Sequence, residues 1–158
     1  MGIAILRAVI GGFFIGHGLQ KLLGKFGGHG LEGTAGFFET LGLKPGKVHA
    51  TAAGVAEAGG GALLLAGAAT PLAATAITGT MTVAIRTVHL PKGPWNTDGG
   101  YEYNAVLIAA LFAITAAGPG EISLDRREWG TKWALAELVA GVGGGLALVK
   151  LASESSAH

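Results

Sequence analysis

The sequence predicts an all-α integral membrane protein: a bundle of four spanning helices, a short interfacial helix after the first span, and a candidate fifth span near the C-terminus. Three observations carry this reading. Half of the 158 residues are apolar and only 13% are charged, whereas a soluble domain carries roughly 25% charged residues. The apolar residues fall into runs of about 20, the length that a helix rising about 1.5 Å per residue needs to cross about 30 Å of hydrocarbon. The 29 glycines are scattered among those runs, which suits helix packing and not a linker or a collagen repeat.

Taken in order, the first run covers residues 3–23. It is too long for a removable signal peptide and lacks an A-x-A cleavage pattern, so it is expected to be retained and to double as the targeting signal. The segment GKFGGHGLEGTAGFFETLGLKPG follows, with Thr34 as a candidate cap, Phe37, Phe38 and Leu41 at helical spacing, and Lys-Pro-Gly as a stop. That predicts the interfacial helix. Runs at 50–69 and 72–90 are separated by a short turn in which Thr70 and Pro71 are preferred helix-start residues, predicting a tight helical hairpin. The fourth run, 101–117, reaches spanning length when Tyr101 and Tyr103 sit at the membrane interface. The fifth, 133–151, contains Glu137 and the glycine-rich GVGGG, and is long enough either to span or to lie along the surface. Residues 1–127 thus read as one transmembrane bundle, 128–152 as a C-terminal apolar helix and 153–158 as a polar tail.

Within the spans, Gly12 with Gly16, Gly54 with Ala58, and Gly141 with Gly145 have the four-residue spacing that lets helix backbones approach. Lys21, Lys25, Lys44, Lys47, Arg86 and Lys92 gather at one end, against Arg126, Arg127 and Lys132 at the other, which slightly favours the first group in the cytoplasm.

Composition also excludes functions. The formal net charge is +1, with no basic block interleaved with aromatic residues, so nucleic acid is not an expected partner. The chain has no cysteine, which removes disulfides, thiolate metal ligands and a persulfide intermediate. No histidine and carboxylate spacing matches a metal site, and no glycine-rich turn follows a strand as a nucleotide fingerprint requires. The lipid bilayer is the first expected partner.

The chemistry-bearing residues are the polar ones inside apolar runs. On one helix, Lys21 lies about 40° and His17 about 80° around from Arg7, so the three project from one side. Arg7 and Lys21 sit near helix ends, from which long basic side chains snorkel. His17 is too short to do so. Charge inside the membrane calls for a partner, and Glu57 and Glu102 are the available carboxylates, predicted to fold against His17, Lys21 or Arg86. Such a cluster is either a structural ion-pair network or a site that exchanges protons and holds an anion. His29 and His49 receive no role; His89 is expected at the same end as His17, Lys21, Arg86 and Glu102.

The ordered motifs LRAVIGGFFIGHGLQKLLG, GFFETLGLKPG, AEAGGGALLLAG, GGYEYNAVL and GPGEISLDRR together resemble the DoxX family of small integral membrane proteins, over residues 3–127. The resemblance implies a four-helix membrane bundle. It also implies a link to thiosulfate:quinone oxidoreductase, whose membrane subunit some relatives form in prokaryotic cell membranes. On the matching motifs, Arg7, His17, Lys21, Glu57, Tyr101, Glu102 and Asn104 occupy the family's polar positions. The chain has no flavin, haem or thiol machinery of its own, so a partner redox subunit or the quinone must supply it.

The expectation is therefore a redox-linked membrane component that binds a quinone or a small sulfur oxyanion such as thiosulfate. His17, Glu57 and Glu102 would be the catalytic proton-handling groups, with Arg7, Lys21, Arg86, Tyr101 and Asn104 binding substrate. The alternative is a non-catalytic scaffold or a small-solute permease.

Overall fold

A seven-residue beat organises the first helix and, through it, the bundle. The computed structural model describes residues 1–155 and contains α1 (Gly2–Leu23), α2 (Gly30–Thr40), α3 (Gly46–Ala66), α4 (Thr70–Ala84), α5 (Glu102–Ala117) and α6 (Thr131–Ser155). No strand occurs among the described residues. On α1, Arg7, Gly11, Phe14 and Gly18 are buried, and they meet Gly54, Glu57, Gly61 and Leu64 of α3, which runs antiparallel. The two backbones touch: a Cβ on Gly11 would lie 2.6 Å from the Gly61 carbonyl oxygen, and one on Gly18 2.5 Å from the Ala58 nitrogen. The expected pair Gly12 and Gly16 is not at this seam, because a Cβ on either meets nothing within 4 Å. Each helical residue turns about 100°, so Gly12 points away from the face that Gly11 presents.

The hairpin between α3 and α4 forms as predicted, but with different start chemistry. Gly67 ends α3 in the left-handed conformation at φ 63°, and Thr70 is already helical, so it is not the cap. The capping oxygens come from Asp125 in the loop before α6. It accepts hydrogen bonds from the Ala69 and Thr70 N–H groups at 2.9 and 3.1 Å, the Thr70 hydroxyl at 3.0 Å and the Trp129 indole at 2.9 Å. Thr34 likewise lies inside α2, which starts at Gly30, and Pro45 precedes the first residue of α3 instead of stopping α2.

The third expected span is α4 continued by a π-helical turn, Ile85–His89. The fifth apolar stretch is a 25-residue helix that runs parallel to α4 and packs tightly on it. A Cβ on Gly141 would come within 2.7 Å of the Thr78 Cβ, and one on Gly145 within 2.8 Å of the Thr82 Cβ. It therefore belongs to the bundle, and GVGGG is helical throughout. The helix continues through Ser155, into the stretch expected as a polar tail; residues 156–158 of that tail lie outside the described residues.

Ile10, Phe14, Leu64, Ile77, Leu111 and Ile114 form the shared core. Outward, Ile5, Val55, Leu65, Leu72, Leu135, Val139 and Leu146 are exposed. An apolar exterior of this extent matches hydrocarbon, not water. By length and composition α1, α3 and α6 are able to cross a membrane, and α5 is a shorter apolar helix. The protein is an integral membrane helical bundle.

Candidate functional site

The α1/α3 pair and the α4/α6 pair meet along α3 and α4, with α5 closing against α4 and α6 and touching α1. Between them lies a partly open cavity of about 840 Å³, walled mainly by aliphatic and aromatic side chains. That volume is in the range of small-molecule sites.

Four of the expected site residues line it: His17, Lys21, Glu57 and Asn104. Glu57 is 4% exposed, and its Oε2 lies 2.6 Å from the Lys21 ammonium. Lys21 thus turns inward to α3 instead of snorkelling, and the predicted counter-ion is found. A salt bridge so placed satisfies both charges, since neither isolated ion would be tolerated in an apolar interior. Asn104 is buried and donates its amide to Met81 Sδ at 3.3 Å.

His17 does not pair with a carboxylate. The Gln20 amide donates Nε2 to the Phe26 carbonyl at 3.1 Å, which fixes its Oε1 as the acceptor facing His17 at 3.0 Å. His17 Nδ1 therefore carries the hydrogen, and Nε2 is left to accept a proton. Two further histidines line the same cavity in the same manner. His89 donates Nδ1–H to the Gly99 carbonyl at 2.7 Å, leaving Nε2, and His49 donates Nε2–H to the Lys44 carbonyl at 3.3 Å, leaving Nδ1. Three imidazoles each keep one ring nitrogen on a carbonyl oxygen and one in reserve.

His49 and His89 were not among the expected site residues. His89 ends the π-helical turn, a backbone irregularity that recurs at functional sites. No local sequence pattern marks that turn. His49 sits on the first turn of α3 facing inward, which a helical phase anchored on Ala50, Gly54 and Glu57 only partly predicts. Phe37, Phe38, Asn96 and Tyr103 also line the cavity.

The structure separates the other four expected residues from this group. Arg7, 2% exposed, donates Nε–H to the Leu64 carbonyl at 3.0 Å and its terminal nitrogens to the carbonyls of Leu65, Pro119 and Ile122. It caps the C-terminal end of α3 and ties down the loop after α5, with four of its five N–H donors spent on backbone carbonyls and the side chain outside the cavity. A guanidinium presents five N–H donors in a fixed fork, so only arginine fills this cage of carbonyls. Glu102 accepts the Asn96 N–H at 2.9 Å and does not line the cavity. Tyr101 precedes α5 and Arg86 is exposed; neither lines the cavity, and Arg86 has no salt bridge among the described residues. Along α5 the inward face is Asn104, Leu107 and Leu111, so Tyr101 and Glu102 fall outside the helical phase that reaches the site.

The chemistry available is that of an apolar chamber holding one fixed cation, its carboxylate and three proton-accepting imidazole nitrogens. No cluster of three or more metal-ligating side chains occurs among the described residues.

No curated relative and no solved structure matches the chain. The sequence model of the DoxX family matches residues 2–90, from α1 through the π-helical turn, and so covers His17, Lys21, His49, Glu57 and His89. The GGYEYN and GPGEISLDRR motifs lie beyond the matched residues. With more than half its length matched, the chain belongs to the DoxX family.

Proposed function

We propose that the cavity binds a quinone head group and that the protein is the membrane component of a thiosulfate:quinone oxidoreductase-like system in a prokaryotic cell membrane. The observation carrying this reading is the set of three carbonyl-anchored imidazoles around one apolar cavity with the Lys21–Glu57 pair in its wall. These groups fit a quinone: an apolar chamber for ring and tail, an ammonium for a carbonyl oxygen, and nitrogens at which protons are held.

When bound, a quinone takes up two electrons and two protons to become a quinol. The electrons come from outside this chain, as two thiosulfate ions join through a new sulfur–sulfur bond to give tetrathionate and two electrons on a partner redox subunit. Lys21 supplies the positive charge that favours electron density at the cavity wall, and Glu57 holds that ammonium in place. The free nitrogen of His17, and those of His49 and His89, take protons from the membrane surface and hold them at the cavity.

The test combines binding and turnover. Purified protein in detergent is melted with and without decylubiquinone, and reduction of the quinone by thiosulfate is followed with and without solubilised membrane extract. A selective ligand raises the melting temperature by an amount set by RT ln(1 + [L]/Kd). An unchanged melting curve at saturating quinone rejects the site and favours a scaffold. A shifted curve without reduction in either assay rejects the thiosulfate link alone.

A further inference from the structure

We propose that Glu137 is a second proton-exchange site of the bundle, a neutral carboxylic acid sealed between α4, α5 and α6 that trades its proton with the cavity one helical turn away. The proposal goes beyond the quinone reading and requires no ligand. Glu137 is 2% exposed. It lies about 9 Å into α6, counted from Thr131 at about 1.5 Å per residue. Its Oε2 accepts a hydrogen bond from the Thr78 hydroxyl at 3.4 Å, and its Oε1 has no partner among the described residues. Thr115 Oγ1 on α5, toward the same end of the bundle, is a second buried oxygen without a partner among them.

Among the described residues no cation pairs with this carboxyl. From α4 the facing group is the neutral Thr78. From α5, the stretch 105–117 contains no titratable side chain. On α6 itself, Lys132 stands in the first turn and Lys150 pairs with Glu154 at the far end. In the loop before α6, Asp125 is engaged by Ala69, Thr70 and Trp129, while Arg127 stacks at 5.2 and 5.7 Å from the Trp129 and Trp133 ring centres. No salt bridge to Glu137 occurs among the described residues. A carboxylate without a cation in an apolar interior is too costly to persist, so the group keeps its proton. Glu57, bound to Lys21, is its ionised counterpart. Two buried carboxyls held in opposite states by their surroundings are the arrangement expected of an acid and a base.

The route is short. Ala140 and Gly141, on the next turn of α6, line the cavity, as does Thr75 on the turn of α4 preceding Thr78. A proton leaving Glu137 past the Thr78 hydroxyl crosses about one helical pitch, roughly 5.4 Å, to reach the cavity wall.

Dicyclohexylcarbodiimide tests this. It enters membranes and adds the O–H of a protonated carboxylic acid across one C=N bond, rearranging to an N-acylurea that retains every atom of both reactants. Wild-type protein in lipid vesicles, treated and mapped by mass spectrometry, is expected to carry most of its adduct at Glu137 and little at Glu57, whose carboxylate is held by the Lys21 ammonium. Labelling should fall as pH rises. In infrared spectra, a protonated-carboxyl C=O band should be present in wild type and Glu57→Gln, absent in Glu137→Gln, and shifted downward in D2O. Equal labelling of both glutamates, or no adduct at Glu137, overturns the neutral state. A band that does not shift in D2O overturns exchange. Should Glu137→Gln fail to fold, the wild-type map and isotope shift decide. Because no quinone is added, these outcomes are independent of the proposed function.

Discussion

Replacing Glu57 by glutamine removes one charge and leaves the side-chain shape, so it isolates the electrostatic contribution of the Lys21–Glu57 pair. The carboxylate side chain is 5% exposed and the lysine side chain 23%, with the ions 2.6 Å apart. Breaking a buried pair at one partner costs about 3–5 kcal/mol because the other charge is left uncompensated. Partial exposure of Lys21 lets water reach the stranded ammonium, and the glutamine carbonyl still accepts a hydrogen bond, so the expected loss is at the lower end, about 3 kcal/mol. At about 2–4 °C per kcal/mol for a chain of this size, melting in detergent should fall by about 6–12 °C. Adding Lys21→Met to Glu57→Gln should recover part of this, with a coupling energy of about 2 kcal/mol. His17→Gln added to Glu57→Gln should recover nothing, because His17 bonds Gln20 and not Glu57. Strict additivity of the Lys21 and Glu57 substitutions, or rescue by the His17 substitution, would refute the pairing.

Three other outcomes follow from the packing. Arg7→Met should destabilise by about 3 kcal/mol by orphaning buried carbonyls, and Arg7→Lys should rescue only partly; hydrogen exchange should show the 118–125 loop loosened in both. Gly11→Ala and Gly18→Ala should each cost about 1–3 kcal/mol by forcing α1 from α3, whereas Gly12→Ala, with open space around it, should leave melting unchanged. Asp125 is pushed up by burial, but its hydrogen bonds from Thr70, Trp129 and Ala69 outweigh this and hold it below the usual carboxylate range. A carboxyl lowered in the folded state contributes stability that is complete above the unfolded value of about 3.9 and is lost as pH falls through the folded one. Acid titration of melting should therefore show a loss below about pH 4 that Asp125→Asn lacks.

Much of the bundle was legible because lipid imposes a simple code: long apolar runs, tyrosine near the ends, and small residues where helices touch. That Glu57 would face one of the α1 or α4 cations was legible for the same reason, but the choice of Lys21 was not, since a lysine near a helix end is also placed to snorkel. What escaped the sequence depends on phase and on distant partners. Gly12 and Gly16 have the familiar spacing, yet the α1 seam follows Arg7, Gly11, Phe14 and Gly18, a beat visible only once α3 is placed. Arg7 resembles a substrate-binding cation until the carbonyls of Leu64, Pro119 and Ile122 surround it. Thr70 carries every mark of a cap, but Asp125, far along the chain, supplies the oxygens. His49 and His89 reach the cavity through a helix start and a π-helical turn that no local pattern announces.

The measurement closest to the central claim is where a bound quinone sits. An azidoquinone photolabel, activated on the purified protein in lipid, should attach to peptides of α1 containing His17, of α4 with its π-helical turn containing His89, and of α5 containing Tyr103, and an excess of unlabelled quinone should abolish each adduct. Adducts confined to the lipid-facing positions around Val55, Leu72 or Val139, and insensitive to competing quinone, would contradict the account.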